Sequence, residues 1–302
     1  MKVMLLFLFL ACGVARAVPP TEFDNQYGHF IITPFATAPF PHPSRANGHK
    51  YHKDFYSAAT NYSDSTVALF IPAGFRATDR IDFLVHFHGW RHTVATTLLE
   101  YQLPEQFSAS GKNAILIVPQ GPYNSPDSFG GKLEDTNGFA RFMAEAMADL
   151  KTAGVVSNDA VPGDIILSAH SGGYETMFSI LDHGGMSDQV REVWMFDCLY
   201  AGSDQFLAWA DHEIGQKGEG RLLDIYTDHG GTLENSLAMV ATLRQKDRAV
   251  ISTNDLAVTP AMLATNHFVF LHSDLPHDDV MARRKTFQEF LETSFLPAIK
   301  VP

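Results

Sequence analysis

Ile165-Ile166-Leu167-Ser168-Ala169-His170-Ser171-Gly172-Gly173 is the stretch on which the reading of this chain turns. The apolar run predicts a buried strand. Small residues two positions either side of Ser171, Ala169 and Gly173, allow a turn too sharp for larger side chains, and such a turn lifts the hydroxyl clear of the sheet edge. Beyond it Tyr174, Met177, Ile180 and Leu181 share one helical face, so a helix starts here with its first N–H groups free to receive negative charge. That arrangement suits an activated nucleophile. The plainer reading of the same residues is a Gly-rich turn that binds an anion or merely connects two elements.

Working outward, short apolar runs at 67–71, 83–87, 114–118, 193–196, 222–226 and 268–271 alternate with helical patterns. Phe139, Phe142, Met143, Met147 and Leu150 form one apolar face, Leu233, Leu237, Val240 and Leu243 a second, and Val280, Phe287, Phe290 and Leu291 a third. Runs apolar at consecutive positions are strands covered on both sides. The alternation predicts an α/β fold: a mostly parallel central sheet of about eight strands with helices on both faces. In such sheets function collects at the carboxyl ends of the strands.

The 302 residues suit one large domain, read here as a catalytic domain over 65–302 with an N-terminal segment, 18–64, packed on it. Residues 1–17 read as a secretory signal peptide: Lys2, a nearly unbroken apolar run over 3–11, then Ala15-Arg16-Ala17 with cleavage after Ala17. The run is too short to cross a bilayer, so a secreted or periplasmic protein is expected. Phe9-Leu10-Ala11-Cys12 is a poor lipid-attachment sequence, which leaves anchoring at Cys12 a minor option. Loss of the signal leaves Cys198 as the sole cysteine, so no internal disulfide forms and the core must carry stability. Acidic residues outnumber basic ones 34 to 22, which argues against nucleic acid or an anionic membrane as partner.

Each run ends in residues that carry chemistry. The 83–87 run leads to His88-Gly89-Trp90, 114–118 to Pro119-Gln120-Gly121, 193–196 to Asp197, 222–226 to Thr227-Asp228, and 268–271 to His272. Serine, then acid, then histidine is the chain order of one known class of catalytic triad.

On the strand end Val85-His86-Phe87-His88-Gly89, the Ala169-His170-Ser171-Gly172-Gly173 turn and a histidine after the last strand, the chain resembles the α/β-hydrolase superfamily over roughly residues 65–295. Ala169 stands where the usual motif has glycine. With only 198–220 between Asp197 and the next strand, it looks most like exported esterase-like members without a large cap. The resemblance implies that Ser171 attacks an ester or amide carbonyl while a histidine takes and returns its proton. It also implies an oxyanion hole formed by the backbone N–H groups of Gly172 and Trp90.

Two residues compete for each remaining role. His272 directly follows a strand and is favoured as the base; His277, after Pro276 and before Asp278-Asp279, is the alternate. Asp197, flanked by Trp194-Met195-Phe196 and Cys198-Leu199-Tyr200, is a carboxylate in apolar surroundings and needs a partner. Asp228, at the end of the strand before the histidine strand, is the more usual position and equally serves as a solvated loop or helix cap. Asp224 falls inside a strand and is the weaker candidate.

Two rival classes share these residues. His86 and His88, with His92 nearby, have the spacing of a metal-dependent hydrolase, with His272, Asp197 and Asp228 as further ligands. Alternatively the fold serves as a non-catalytic binding module. The aromatic and proline-rich segment before Ser65 pairs residues 29–33 as an edge strand and packs into the core or walls a pocket; its His42, His49 and His52 are too loosely spaced for a metal site. Asn61-Tyr62-Ser63 matches a glycosylation acceptor. The reading that accounts for most residues is an exported serine hydrolase of small-molecule or polymeric carboxylic esters, needing no cofactor, with peptide bonds and acyl transfer as subordinate options.

Overall fold

The computed structural model describes residues 21–228 and 231–299; the expected signal peptide and Cys12 lie outside these. In chain order the strands are β1 (Thr21–Asn25), β2 (Gly28–Pro34), β3 (His49–Tyr51), β4 (Asp54–Tyr56), β5 (Thr66–Pro72) and β6 (Arg80–Phe87). They continue as β7 (Ile115–Pro119), β8 (Val161–His170), β9 (Val190–Phe196), β10 (Arg221–Thr227), β11 (Val250–Asn254) and β12 (Phe268–Ser273). One ten-stranded sheet has the order β1-β2-β5-β7-β6-β8-β9-β10-β12-β11, and β3 and β4 form a separate hairpin. From β7 to β11 across the sheet all neighbours are parallel, whereas β1, β2 and β5 pair antiparallel.

The sheet therefore has ten strands, not about eight. The two that the apolar runs do not reveal are its edges, β1 and β11. Every residue of β1 is exposed and none of β11 is buried. An edge strand covered on few sides needs no continuous apolar run, so it leaves little trace in hydropathy.

Central strands carry apolar residues at consecutive positions because both faces are covered. Phe83, Val85, Ile115 and Ile117 point into one core with the helices Gly138–Thr152, Tyr174–His183 and Leu233–Gln245. Leu84, Leu116 and Val118 point into the other, with Val94–Glu100, Leu103–Ala109 and Thr286–Thr293. Each such fully buried side chain contributes about 1.5–3 kcal/mol. In Leu233–Gln245 the expected face is shifted: Leu237 is 47% exposed, and Met239 is buried instead.

The N-terminal segment joins the sheet through β2, which is not the edge strand expected over 29–33 because β1 pairs outside it, and Phe35 and Phe40 are core residues. Asn61 is buried and its Nδ2 donates to the Tyr123 carbonyl at 2.9 Å, so this side chain serves packing. No helix among the described residues is long and apolar enough to cross a membrane.

Candidate active site

Ser171 follows β8 directly, at φ +51°, and opens the short 3-10 turn Ser171–Gly173 that leads into the helix Tyr174–His183. A left-handed conformation costs a non-glycine residue on the order of 1–3 kcal/mol and persists only where its surroundings enforce it. Here the end of β6 does so. A Cβ on Gly173 would stand 2.5 Å from the Phe87 carbonyl oxygen, and one on Gly172 would collide with the Trp90 indole. A Cβ on Gly89 would lie 2.6 Å from the Ser171 Cβ. The need for small residues thus comes mainly from the neighbouring β6 loop, more than from crowding between the two flanks of the serine. The same closeness sets Gly172 against the Trp90 indole and Gly89 against Ser171.

His88 pins that turn. Its Nδ1–H donates to the Gly89 carbonyl at 2.8 Å, and its Nε2 accepts from the Gly121 N–H at 2.9 Å and the Gln120 amide at 3.0 Å. Burial pulls its pKa down to about 4, so the ring is neutral, as these two roles demand. His86 faces Ser168, Nδ1 to Oγ 2.9 Å, with its pKa lowered by burial to about 3. Both nitrogens of His88 are engaged, which leaves the His86/His88/His92 set no shared metal position. The nearest grouping of potential ligand atoms, within 4.8 Å of one another, is His170, His277 and Asp278. There too both nitrogens of His170, and Nδ1 of His277, already carry protein partners.

Asp197 directly follows β9 at φ +45° and is fully buried. Its Oδ2 accepts from His277 Nδ1 at 2.6 Å and from Thr227 Oγ1 at 2.8 Å. Its Oδ1 accepts from the Thr227 N–H at 3.1 Å and from the Thr232 hydroxyl. Burial alone would raise the pKa of this carboxyl, but the donors from His277, Thr232 and Thr227 outweigh it and hold the group below its ordinary value. It is an ionised acceptor beside an imidazole.

His272, favoured from sequence, is placed elsewhere. Its Nε2 meets the exposed Asp228 at 2.9 Å, and its ring lies tilted beside that of Tyr226, centroids 5.5 Å apart. The sheet order supplies the reason. β12 is three strands from β8, and three steps of about 4.8 Å put it roughly 14 Å away, beyond the reach of a side chain at the strand end. His277, in the turn His277–Asp279, lies where the chain has come back over β9. Its ring centroid is 4.6 Å from that of His170, the residue before Ser171. Asp224, also buried, points away into the core facing Ser236; neither of its oxygens has a partner in hydrogen-bond geometry among the described residues.

Tyr200 neighbours both Ser171 and His277. Burial raises its phenol pKa, the neighbouring Ser171 hydroxyl opposes that shift, and its ring lies 6.5 Å from His277. Trp90, 38% exposed, donates from its indole to Ser128 Oγ at 2.8 Å and meets the Tyr51 ring of the β3–β4 hairpin edge-on at 5.2 Å. An apolar cavity of about 510 Å³ between β1, β2 and the helix Val94–Glu100 contains none of Ser171, Asp197 and His277. Sequence reasoning missed Thr227, Thr232, Tyr101, His170 and Tyr200. Thr227 and His170 adjoin residues that were singled out, whereas Tyr101 and Thr232 carry no local signal.

No protein-family model and no curated protein sequence matches the chain. Among solved structures it is similar to a mutant feruloyl esterase module from Clostridium thermocellum complexed with sinapinate. The two are 10% identical over 92% of this chain and 94% of that one, with a TM-score of 0.55. An acetyl xylan esterase from Aspergillus awamori is 10% identical over 76% of this chain and 94% of its own, with a TM-score of 0.50. The fold is that of the α/β-hydrolases.

Proposed function

We propose that this chain is an exported serine hydrolase that cleaves carboxylic esters through Ser171, His277 and Asp197. The observation that carries the proposal is the 2.6 Å contact between His277 Nδ1 and the buried Asp197 carboxylate, beside a serine held at positive φ. An ionised Asp197 requires Nδ1 of His277 to carry the proton, which leaves Nε2 bare to act as a base. His277 Nε2 takes the Ser171 proton as Oγ attacks the ester carbonyl. The developing oxyanion is received by the N–H groups of Gly172 and Trp90, each worth on the order of 3 kcal/mol. His277 then returns the proton to the leaving alcohol, and water releases the acyl group from Ser171 by the same route.

Esters as the substrate class are supported by the esterases among the similar folds. The Trp90 indole lies against Gly172, next to the serine, and carries the Tyr51 ring edge-on behind it, an aromatic pair suited to a flat or apolar substituent. The test is labelling by a fluorophosphonate together with turnover of p-nitrophenyl acetate. Both are expected in the native protein, both are lost in Ser171→Ala, and neither responds to a chelator. Turnover that persists in Ser171→Ala, or that a chelator abolishes, refutes the proposal.

A further inference from the structure

His170 Nε2 lies 3.1 Å from the main-chain carbonyl oxygen of His277, and its Nδ1 lies 2.9 Å from the Tyr101 hydroxyl. Tyr101 in turn meets His92 Nε2 at 3.1 Å. We propose that His170 is a positioning residue for the base: oriented by Tyr101 and His92, it grips the backbone of His277 while Asp197 grips the ring. This rests on the reading of Ser171 and His277 as nucleophile and base.

Elementary hydrogen-bond rules fix the direction of every step. A carbonyl oxygen only accepts, so His170 Nε2 carries a proton. Burial keeps the ring neutral, so Nδ1 is a bare acceptor and the Tyr101 hydroxyl donates to it. That hydroxyl has given its only proton, so its oxygen accepts from His92 Nε2–H. On its other side the bare His92 Nδ1 can accept from the Thr96 hydroxyl at 3.5 Å, and the Glu100 carboxylate, 3.9 Å away, makes no bond to it. A single tautomer of each imidazole satisfies the chain.

The contact acts where the base is weakest. His277 sits in a turn between exposed Pro276 and Asp278, and the Asp197 bond alone leaves its ring free to pivot about Nδ1. His170 and Tyr101, each 1% exposed, are packed from β8 and from the segment between two core helices. They tie that turn to the strand that carries the nucleophile. A residue adjoining Ser171 in sequence therefore sets where the base stands relative to it.

Packing alone would give the same ring contacts, so the test removes hydrogen bonds and keeps shape. Tyr101→Phe deletes the donor to His170 Nδ1: the His277 carbonyl still holds the proton on Nε2, but the ring loses the second bond that fixes its orientation. His170→Leu removes the grip, while His170→Gln offers an N–H near the position of Nε2. A misplacement of about 1 Å costs about 100-fold, so Tyr101→Phe and His170→Leu should lower kcat for p-nitrophenyl acetate by about 10- to 100-fold. KM should stay within about twofold, and the rate of fluorophosphonate labelling should fall in parallel with kcat. His170→Gln should recover most of the loss. Native kcat in Tyr101→Phe, or His170→Gln no better than His170→Leu, overturns the inference. Should His170→Leu fail to fold, Tyr101→Phe decides. Full turnover in Ser171→Ala sinks the underlying reading, whereas an inactive Ser171→Ala beside an unaffected Tyr101→Phe sinks only the relay.

Discussion

Changing Asp197 to asparagine replaces one oxygen by an NH2 group, and the surroundings dictate which one. Oδ1 faces the main-chain N–H of Thr227 at 3.1 Å, a donor that cannot turn round, whereas the Thr227 and Thr232 hydroxyls can rotate. The amide oxygen must therefore occupy the Oδ1 position, and the NH2 group must face His277 Nδ1, now 2.6 Å from Oδ2. Two donors cannot share that contact. His277 resolves it by moving its proton to Nε2, the atom that has to accept from Ser171. Wrong-tautomer substitution of a triad acid lowers kcat by about 10⁴, equivalent to about 5.5 kcal/mol in the barrier. Steady-state turnover of p-nitrophenyl acetate at neutral pH measures it, with the thermal midpoint checking the fold and Asp228→Asn as the control. Asp228 is exposed and pairs only with His272 in the described contacts, so its amide should leave kcat near native. Turnover of Asp197→Asn within tenfold of native, or an equal loss in Asp228→Asn, refutes the reasoning.

The histidines should separate in the same assay: His277→Ala loses about 10⁴ or more in kcat, while His272→Ala stays within about twofold. Gly89→Ala puts a methyl group 2.6 Å from the Ser171 Cβ, and a displacement of the nucleophile by about 1 Å predicts roughly 100-fold slower acylation, read by burst kinetics. Asp224 offers a test of stability alone. Burial raises its pKa from the ordinary carboxyl value of about 4 to about 8, so the folded state holds a proton that the unfolded state has released between those limits. Stability is full at low pH and falls as pH rises from about 4 to about 8, by an order of several kcal/mol. Asp224→Asn should abolish that decline, raising the urea midpoint at pH 8 and leaving it unchanged near pH 4; an equal shift at both pH values would contradict the assignment.

The residues proposed as nucleophile and acid stand out in the sequence because each is a local contradiction. Ser171 stands among residues too small to build a helix start by propensity, and Asp197 is a charge between Phe196 and Cys198, both fully buried. A buried carboxylate demands a donor, and that demand is visible without coordinates. Nothing local identifies the donor. His272 and His277 flank the same turn, and the choice depends on the order β8-β9-β10-β12, which no run of residues encodes. The two edge strands were hidden for the converse reason, since residues facing water on most sides need no pattern.

That same order constrains how such a base can be held. With Ser171 after β8 and Asp197 after the adjacent β9, the proposed nucleophile and acid each follow directly on paired strand ends, His170 and Phe196, one strand spacing apart. The base descends from a strand two places beyond β9 and has no ladder of its own at residue 277, so its position depends on what its turn is bonded to. Asp197 orients one ring atom, and one atom defines a pivot without defining a plane. A second restraint must act on the main chain or on the ring face. His170 supplies both, through the His277 carbonyl and the 4.6 Å ring contact, and it does so from β8 itself. The precision of the serine–histidine approach is thereby set by the same strand that presents the serine, which is why changes at Tyr101, remote from substrate, should register in kcat before they register in stability.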